Sequence, residues 1–307
     1  MKLGMIGLGK MGGNMVRRLR RAGIDVIGHD PDEDVRQQLA DEVGMAVAPT
    51  ISGLVKRLEK PRVVWVMVPS GDATEKVIKE LERRLEPGDV VVDGGNSNYK
   101  DTQRRGAMLA QSNIGLVDVG TSGGVWGLEN GYCMMAGGER GHVRAVEPAL
   151  KALAPAADHG WVYAGTRGAG HYAKMIHNAI EYGMMQAYAE GFALLHGKRE
   201  FAFDVAALAE AWRHGSVVRS WLLDLSADIL KEDPLLSRGS DVVADSGEGR
   251  WAALEAINQG TAAPVLSMAL HMRFASQQRD GGYANRMLSM MRNAFGGHAI
   301  PDDKVAD

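Results

Sequence analysis

The sequence predicts a doubly wound α/β domain over residues 1–165, followed by an all-helical domain over residues 166–307. A short apolar run at residues 2–6 passes through Gly-x-Gly-x-x-Gly at residues 7–12 into an amphipathic helix. Strand and helix patterns then alternate to the end of the first domain, which is typical of a parallel sheet with helices on both faces. From Gly168 onward only helical periodicity remains, so the second domain is predicted to be all α.

The predicted strands are short apolar runs bounded by turn-forming residues. They cover residues 2–6, 25–29, 62–68, 90–93 and 114–119. In the second domain, helices are predicted near residues 169–195, 205–212, 220–230, 251–259, 264–277 and 283–291. Doubly wound sheets bind ligands at the carboxyl ends of their strands, so we expect site residues in the loops that follow the strands.

Composition and charge exclude several classes of function. A formal net charge of −3 gives no global basic field, so neither nucleic acid nor an anionic membrane is expected as the main partner. No apolar run approaches the roughly 18 residues that a membrane span needs. The single cysteine, Cys133, excludes an internal disulfide and fits a reducing cytoplasm. We therefore expect a cytoplasmic protein.

The glycine motif lies between a predicted strand and a predicted helix, as in dinucleotide-binding sites. Gly7 allows the tight turn, Gly9 lets the backbone approach a pyrophosphate, and Gly12 lets the helix pack closely on the strand. The helix N-terminus offers free N–H groups to the phosphates. The first domain is therefore predicted to be Rossmann-like and to bind its cofactor with Gly7, Leu8, Gly9, Met11, Gly12, Asp30, Val68, Pro69 and Asn96.

Asp30 stands at the end of the second predicted strand. A carboxylate there can accept hydrogen bonds from both ribose hydroxyls and repels a 2′-phosphate, which favours NAD over NADP. An alternative role is to cap the helix predicted to start near Pro31, because Asp-Pro is a common helix entry. The two roles are compatible, so we expect NAD as the cofactor, with NADP possible but less favoured.

Two further glycine-rich loops follow strands of the predicted sheet. One contains Asn96 and the other contains Ser122, Gly123 and Gly124. Such loops are usually only turns. However, both fall at the edge where ligands bind, and each carries a small polar residue, so Asn96 and Ser122 are predicted to touch ligand.

The first helix of the second domain carries a polar stripe. Lys174, His177, Asn178, Glu181 and Tyr182 fall at i, i+3, i+4, i+7 and i+8, the positions that normally hold an apolar stripe. A solvated helix face with i,i+4 pairs is the alternative interpretation. Because the rest of the helix is largely apolar, we instead expect a buried site that moves protons on a polar substrate, close to the cleft between the domains.

Four segments together carry a resemblance to a known family. They are Asp93–Ser97, Thr121–Gly124, Lys174–Tyr182 and Arg292–His298. With the glycine motif, they make the chain resemble the short form of the decarboxylating 6-phosphogluconate dehydrogenases, within the β-hydroxyacid dehydrogenase group. The resemblance implies oxidation and decarboxylation of 6-phosphogluconate to ribulose 5-phosphate and CO2, in gluconate utilisation and the pentose phosphate pathway. It also implies a reaction without a metal.

The resemblance implies a role for each residue of the stripe and loops. Lys174 is the general base that takes the proton from the substrate 3-hydroxyl, and Glu181 is the acid that protonates the enediol carbon. The carboxylate and hydroxyls of the sugar acid would be bound by Asn96, Ser122, Gly123, Gly124, His177 and Asn178.

The phosphate of the substrate would be bound by Tyr182, Arg250, Arg273, Arg292 and His298. Two departures from the family pattern concern this end of the site. Arg250 replaces a lysine and changes a point donor into a planar fork, and Ala252 lacks the hydroxyl of a threonine. The family also implies a homodimer or homotetramer, in which the C-terminal tail completes the active site of a neighbouring subunit.

Two other functions remain open from the sequence. A dehydrogenase acting on 3-hydroxyisobutyrate would share the glycine motif, the Ser-Gly-Gly loop and the lysine. It would lack the combination of His177, Glu181 and Tyr182, and only a decarboxylating enzyme needs an acid to protonate carbon. The second alternative is a catalytically silent NAD-binding protein on the same fold, which intact Lys174 and Glu181 argue against.

Overall fold

The computed structural model describes residues 1–278 and 282–301, and the chain divides into two compact units, Met1–Met175 and Ile176–Asp307. The first unit is an α/β unit and the second is helical in its described residues. The predicted fold class, a Rossmann-like domain followed by an all-α domain, is confirmed. The functional division at residues 165 and 166 stays a prediction.

The elements follow the chain in the expected alternation. The strands are β1 (Lys2–Ile6), β2 (Asp25–His29), β3 (Ala46–Val47), β4 (Val63–Val66), β5 (Val90–Asp93), β6 (Gly115–Ser122), β7 (Cys133–Gly138) and β8 (Trp161–Gly165). The helices between them are α1 (Lys10–Arg21), α2 (Glu33–Val43), α3 (Ile51–Lys56), α4 (Asp72–Glu82), α5 (Tyr99–Gln111), α6 (Gly127–Asn130) and α7 (Arg140–Leu153).

The eight strands form one sheet in the order β3-β2-β1-β4-β5-β6-β7-β8. All neighbours are parallel except β6 and β7, which pair antiparallel from Val117 opposite Gly138 to Ser122 opposite Cys133. The expectation of a purely parallel sheet is therefore wrong at this pair. The segment between the two strands is shorter than the dozen or more residues that a parallel crossover usually requires.

Strand β4 illustrates how the sheet is buried on both faces. Val63 and Trp65 belong to the apolar cluster on one face, and Val64 and Val66 belong to the cluster on the other. Side chains of a strand alternate between faces, so a strand covered on both sides must be apolar at every position. This requirement explains why the central strands read as continuous apolar runs in the sequence.

The second unit continues the long helix α8 and adds five more helices in the described residues. They are α8 (Ala169–Gly197), α9 (Val205–Trp212), α10 (Trp221–Glu232), α11 (Glu248–Gln259), α12 (Pro264–Ser276) and α13 (Gly282–Gly296). Met185, Phe192, Leu223 and Met287 are among the side chains that form its core. No helix in the described part of the chain has the length and apolar character to cross a membrane.

Candidate active site

The glycine loop between β1 and α1 has the geometry of a phosphate cradle. Gly7 has φ +92°, and a Cβ at Gly12 would lie 1.9 Å from the carbonyl oxygen of Gly7. Gly9 is exposed and has open space where a side chain would stand. No side-chain hydrogen bond caps α1 at Gly9 in the described residues, so its first-turn N–H groups remain available to an anionic ligand. These residues fit the pyrophosphate of a dinucleotide.

Asp30 holds the glycine loop through its carboxylate. Its Oδ2 accepts a hydrogen bond from the backbone N–H of Leu8 at 2.8 Å, and its Oδ1 accepts one from Asp32 at 3.0 Å. The alternative role as a helix cap is wrong, because α2 begins later and is capped by Asp32 through Asp34 and Val35. Asp30 is partly exposed, so its carboxylate is available to ribose hydroxyls.

The other residues predicted to line the cofactor lie around the same loop. A Cβ at Gly7 would lie 3.1 Å from Cγ1 of Val68, which places Val68 directly beside the turn. The Pro69 carbonyl accepts a hydrogen bond from the Thr74 hydroxyl at 2.9 Å, which fixes the loop after β4. Met11 is partly buried and packs on the sheet core. The carboxyl ends of β1 and β4 therefore form one continuous edge.

Asn96 joins the two loops that were expected to bind substrate. Its Oδ1 accepts a hydrogen bond from the Thr121 N–H at 2.8 Å, and its Nδ2 donates to the Thr121 carbonyl at 3.1 Å. Asn96 adopts φ +52°, a left-handed conformation that asparagine tolerates better than most residues. An amide has a second N–H, so Asn96 can bind a ligand while it keeps the loops together.

A buried network behind this loop was not anticipated from the sequence. Asp93 accepts hydrogen bonds from the Ser97 hydroxyl at 2.9 Å and from Nη1 of Arg105 at 3.4 Å. Arg105 is only 1% exposed and also donates to Glu75 at 2.9 Å and to the Gly71 carbonyl at 3.1 Å. The signal for this network in the sequence was Asp93, a carboxylate at the end of an apolar strand. The network fixes both ends of the loop that carries Asn96.

Ser122 is the last residue of β6, and Gly123 and Gly124 follow it directly. Gly123 has φ +125° and Gly124 has φ +51°, conformations that favour glycine at both positions. The ring of Tyr132 lies beneath the loop, where a Cβ at Gly123 would come within 3.3 Å of it. Burial raises the pKa of Tyr132 to about 12. The loop therefore rests on a neutral aromatic ring.

Lys174 is buried, with 6% of its surface exposed, in the part of α8 that belongs to the first unit. A Cβ at Gly120 would lie 2.4 Å from the Cβ of Lys174, so the absence of a side chain in β6 makes room for it. The role of Lys174 as the general base stays a prediction.

The acidic part of the stripe lies on the following turns of α8. Nδ1 of His177 lies 3.0 Å from Oδ1 of Asn178 and 3.9 Å from Oε2 of Glu181. All three residues are partly buried. The imidazole therefore stands beside the carboxylate that was expected to act as the acid.

Tyr182 is buried between a hydroxyl and a guanidinium. Its hydroxyl lies 3.0 Å from Oγ of Ser246 and accepts a hydrogen bond from the Ser246 N–H at 3.2 Å. The guanidinium carbon of Arg273 lies 3.3 Å from the centre of the tyrosine ring. Ser246 was missed in the sequence, although a serine directly before Gly-x-Gly at a helix start is a recognisable signal.

Arg273 and Arg292 form a buried pair of positive charges. They are 2% and 6% exposed, and within the described residues neither forms an ion pair with a carboxylate. Burial lowers the pKa of Arg273 to about 10, and the charge of Arg292 lowers it further. Burial also lowers the pKa of Arg292. Two neighbouring cations without a bound carboxylate make a strong site for an anion.

The two remaining phosphate candidates are more exposed. Arg250 pairs with Asp245 and stacks on the ring of Phe274 with its guanidinium carbon 4.3 Å from the ring centre. His298 is exposed beyond α13, edge-on to the ring of Phe295 at 6.1 Å. In the second unit, the structure thus brings together Tyr182, Arg273 and Arg292, with Arg250 and His298 held by other contacts.

Comparison with known families identifies both parts of the chain. Residues 2–165 match the NAD binding domain of 6-phosphogluconate dehydrogenase, and residues 170–301 match the 6-phosphogluconate dehydrogenase C-terminal domain. The chain belongs to the 6-phosphogluconate dehydrogenase family. In the described residues, no group of three or more His, Cys, Asp or Glu side chains is arranged to hold a metal ion.

Individual relatives agree with this membership. An NAD(+)-dependent, decarboxylating 6-phosphogluconate dehydrogenase of Haloferax volcanii is 38% identical over 302 residues, which cover 98% of each chain. The Plasmodium falciparum 6-phosphogluconate dehydrogenase, solved alone, with NADP+ and with 6-phosphogluconate, superposes with a TM-score of 0.81 at 27% identity. That alignment covers 90% of this chain and 62% of the longer Plasmodium chain. A Salmonella typhimurium 3-hydroxyisobutyrate dehydrogenase shares the fold, with a TM-score of 0.76 at 20% identity over 94% of this chain and 99% of its own.

Proposed function

We propose that this chain catalyses the oxidative decarboxylation of 6-phosphogluconate to ribulose 5-phosphate and CO2, with NAD as the preferred oxidant. The observation that carries the proposal is the buried pair Arg273 and Arg292 beside Tyr182. Both arginines also lie close enough to Glu181 to interact with it electrostatically. An anion site next to a carboxylic acid suits a substrate with a phosphate at one end and a reacting carbon that needs a proton.

The cofactor fits the first unit through the glycine loop and Asp30. Bound NAD supplies the acceptor for a hydride from the substrate. Asp30 would accept hydrogen bonds from the two ribose hydroxyls while its Oδ2 keeps the hydrogen bond from the Leu8 N–H. Its negative charge would oppose the 2′-phosphate of NADP. The NAD(+)-dependent Haloferax relative supports this preference.

Lys174 acts first in the proposed reaction. Its neutral amine accepts the proton of the substrate 3-hydroxyl as the hydride leaves C3, which produces a 3-keto acid. The protonated amine then donates a hydrogen bond to the new keto oxygen and stabilises negative charge there. When the bond between C1 and C2 breaks, its electron pair moves into an enediol, and Lys174 returns the proton to the oxygen on C3.

Glu181 completes the reaction seven residues further along α8, about two helical turns from Lys174. Its carboxylic acid donates a proton to C2 of the enediol, and the hydroxyl on C3 loses its proton to Lys174 and becomes the ketone of ribulose 5-phosphate. The acid is then ionised and the amine protonated, so solvent exchange restores both. His177, at 3.9 Å from Glu181, would assist that return.

Binding of the sugar acid divides between two sets of residues. We assign its carboxylate and hydroxyls to Asn96, Ser122, Gly123, Gly124, His177 and Asn178. We assign its phosphate to Tyr182, Arg250, Arg273, Arg292 and His298. The fork of Arg250 suits bidentate contact with phosphate oxygens, although its ion pair with Asp245 would have to loosen.

We also propose a cytoplasmic homodimer or homotetramer in which the C-terminal tail completes a neighbouring site. Exposed apolar side chains on α11 and α12 support association, because Leu254, Ile257, Val265 and Met268 are each more than half exposed in the single chain. Light scattering after gel filtration tests this arrangement. A monomer that is fully active would contradict it.

Substrate choice is tested by supplying the purified chain with 6-phosphogluconate, gluconate or 3-hydroxyisobutyrate, each with NAD and with NADP. We expect reduced nicotinamide to form readily with 6-phosphogluconate, only slowly with gluconate and not with 3-hydroxyisobutyrate. The reaction should be faster with NAD, and ribulose 5-phosphate should be the product from 6-phosphogluconate. Oxidation of 3-hydroxyisobutyrate instead would make the chain a simple hydroxyacid dehydrogenase. No turnover with any acid would favour an NAD-binding protein without catalysis.

A further inference from the structure

Asp118 is a fully buried carboxylate in the middle of the apolar strand β6. Its Oδ1 accepts a hydrogen bond from the Gly168 N–H at 2.7 Å, and its Oδ2 accepts one from the His171 N–H at 2.9 Å. These N–H groups belong to the start of α8, where helical N–H groups have no partner within the helix. Asp118 thus caps, from a distant strand, the helix that carries Lys174.

The same strand meets α8 by backbone contact. A Cβ at Gly170 would lie 2.3 Å from the carbonyl oxygen of Met135 and 2.6 Å from that of Asp118. A Cβ at Gly120 would lie 2.4 Å from the Cβ of Lys174. The first turn of α8 therefore rests directly on β6 and β7, with no side chain between them that could adjust to a shift.

A third contact fixes the rotation of this turn. Nδ1 of His171 lies 2.7 Å from the hydroxyl of Thr102 on α5, and both side chains are buried. Thr102 lies close after the loop that carries Asn96. The start of α8 is thus connected to both β6 and α5.

We infer that Asp118 is a positioning residue for Lys174, and this inference rests on the proposed function. Alternate residues of a strand face the same side. On that side of β6, Asp118 holds the start of α8, Gly120 makes room for Lys174, and Ser122 begins the substrate loop. One strand therefore sets the distance between the proposed base and the loop that binds the substrate.

The test compares Asp118→Asn with Asp89→Asn. Asp89 is a comparable control, because it is 1% exposed and accepts backbone N–H bonds from Arg62 at 2.7 Å and Glu86 at 2.9 Å, and it also pairs with the Arg62 guanidinium at 2.9 Å. It precedes β5, at the opposite end from the loops of the site. In each variant the asparagine NH2 group replaces one of the two carboxylate oxygens, so one backbone N–H faces a donor in place of an acceptor. Both variants should therefore be less stable than wild type.

Only Asp118→Asn should affect the chemical step. We expect its kcat with 6-phosphogluconate to fall about 10- to 100-fold relative to Asp89→Asn, as for a catalytic group displaced by about 1 Å, with an unchanged dissociation constant for NAD. Hydrogen exchange measured by mass spectrometry should be at least about tenfold faster in the peptide spanning residues 166–175, in Asp118→Asn alone.

Two results would overturn the inference. One is unchanged exchange in this peptide of Asp118→Asn, and the other is faster exchange with a kcat equal to that of Asp89→Asn. If the wild-type protein itself shows no turnover, the proposed function fails. The exchange measurement then still decides whether Asp118 holds the start of α8.

Discussion

The guanidinium carbon of Arg273 lies 3.3 Å from the centre of the Tyr182 ring, inside a part of the second unit from which water is largely excluded. The aromatic face stabilises the cation in place of a carboxylate. A carboxylate partner would compete with an incoming phosphate, whereas a ring does not. Because the pKa of Arg273 is about 10, its side chain remains charged at neutral pH and ready to bind a dianion.

Arg273→Met should therefore weaken recognition of the phosphate specifically. A hydrogen bond to a charged group contributes about 1.5–3 kcal/mol, so we expect kcat/KM for 6-phosphogluconate to fall roughly 10- to 150-fold. The slow reaction with gluconate, which lacks a phosphate, should change little. Arg238→Met removes an exposed arginine paired with Glu232 and serves as the control. An equal loss with both acids would show that Arg273 supports folding of the site and does not bind phosphate.

Cofactor preference should depend on the charge of Asp30, and two variants separate that charge from its structural role. Asp30→Asn keeps an oxygen for the Leu8 N–H, whereas Asp30→Ala loses it. Both remove the charge that opposes a 2′-phosphate, so the ratio of kcat/KM for NAD over NADP should fall at least about tenfold in each. Only Asp30→Ala should also raise KM for both cofactors. A ratio that does not move in either variant would contradict the assignment of Asp30.

Lys174→Met tests the proposed base with a side chain of similar length and no amine. General base catalysis contributes about 10²–10⁴-fold, and we expect kcat to fall by that factor while NAD still binds with its original affinity. Lys151→Met alters an exposed lysine paired with Glu147 and should keep full activity. Retention of more than about a tenth of the activity in Lys174→Met would rule out the role as base.

Stability in acid should depend on Glu75. The hydrogen bond from Arg104, together with those from Arg105 and Lys79, holds the pKa of Glu75 well below its ordinary value of 4.5, although burial opposes the shift. The native state therefore releases this proton more readily than the unfolded chain does. The contribution of Glu75 to the free energy of unfolding is complete above pH 4.5 and disappears as the pH falls further. We expect Glu75→Gln to be about 2 kcal/mol less stable than wild type at pH 7.

Urea unfolding from pH 7 to pH 3 measures this difference. The difference in free energy of unfolding between wild type and Glu75→Gln should stay constant down to about pH 4.5 and then become smaller. Glu80→Gln, which removes an exposed i,i+4 pair with Arg84, should leave the pH dependence almost unchanged. A gap of constant size across the whole range would mean that the Arg104 and Arg105 contacts do not set the ionisation of Glu75.

The central sheet and the main helices could be predicted because their sequence patterns are local. Strands predicted at residues 25–29 and 90–93 coincide with β2 and β5, since buried parallel strands are continuous apolar runs. Strands β7 and β8 were not predicted. The first ends in two glycines and the second alternates between half-buried and exposed residues, so neither carries that pattern.

The site was predicted to the extent that its residues share one helix or one loop. The polar stripe of α8 is visible in the sequence at helical spacing. The partners that hold it in place are not, because they depend on tertiary packing. Asp118 reaches His171 across 53 positions, and Ser246 reaches Tyr182 across 64. Buried polar residues inside apolar strands, such as Asp118, are the sequence signal for such partners.

The most direct test of the proposed reaction is to follow both products in one sample of wild-type protein, NAD and 6-phosphogluconate labelled with ¹³C at C1. Absorbance reports reduced nicotinamide, and ¹³C NMR reports labelled CO2 and bicarbonate. We predict one equivalent of labelled CO2 for each equivalent of reduced cofactor throughout the time course. Reduced cofactor with the label retained in a sugar acid would contradict oxidative decarboxylation and leave Glu181 without its proposed role.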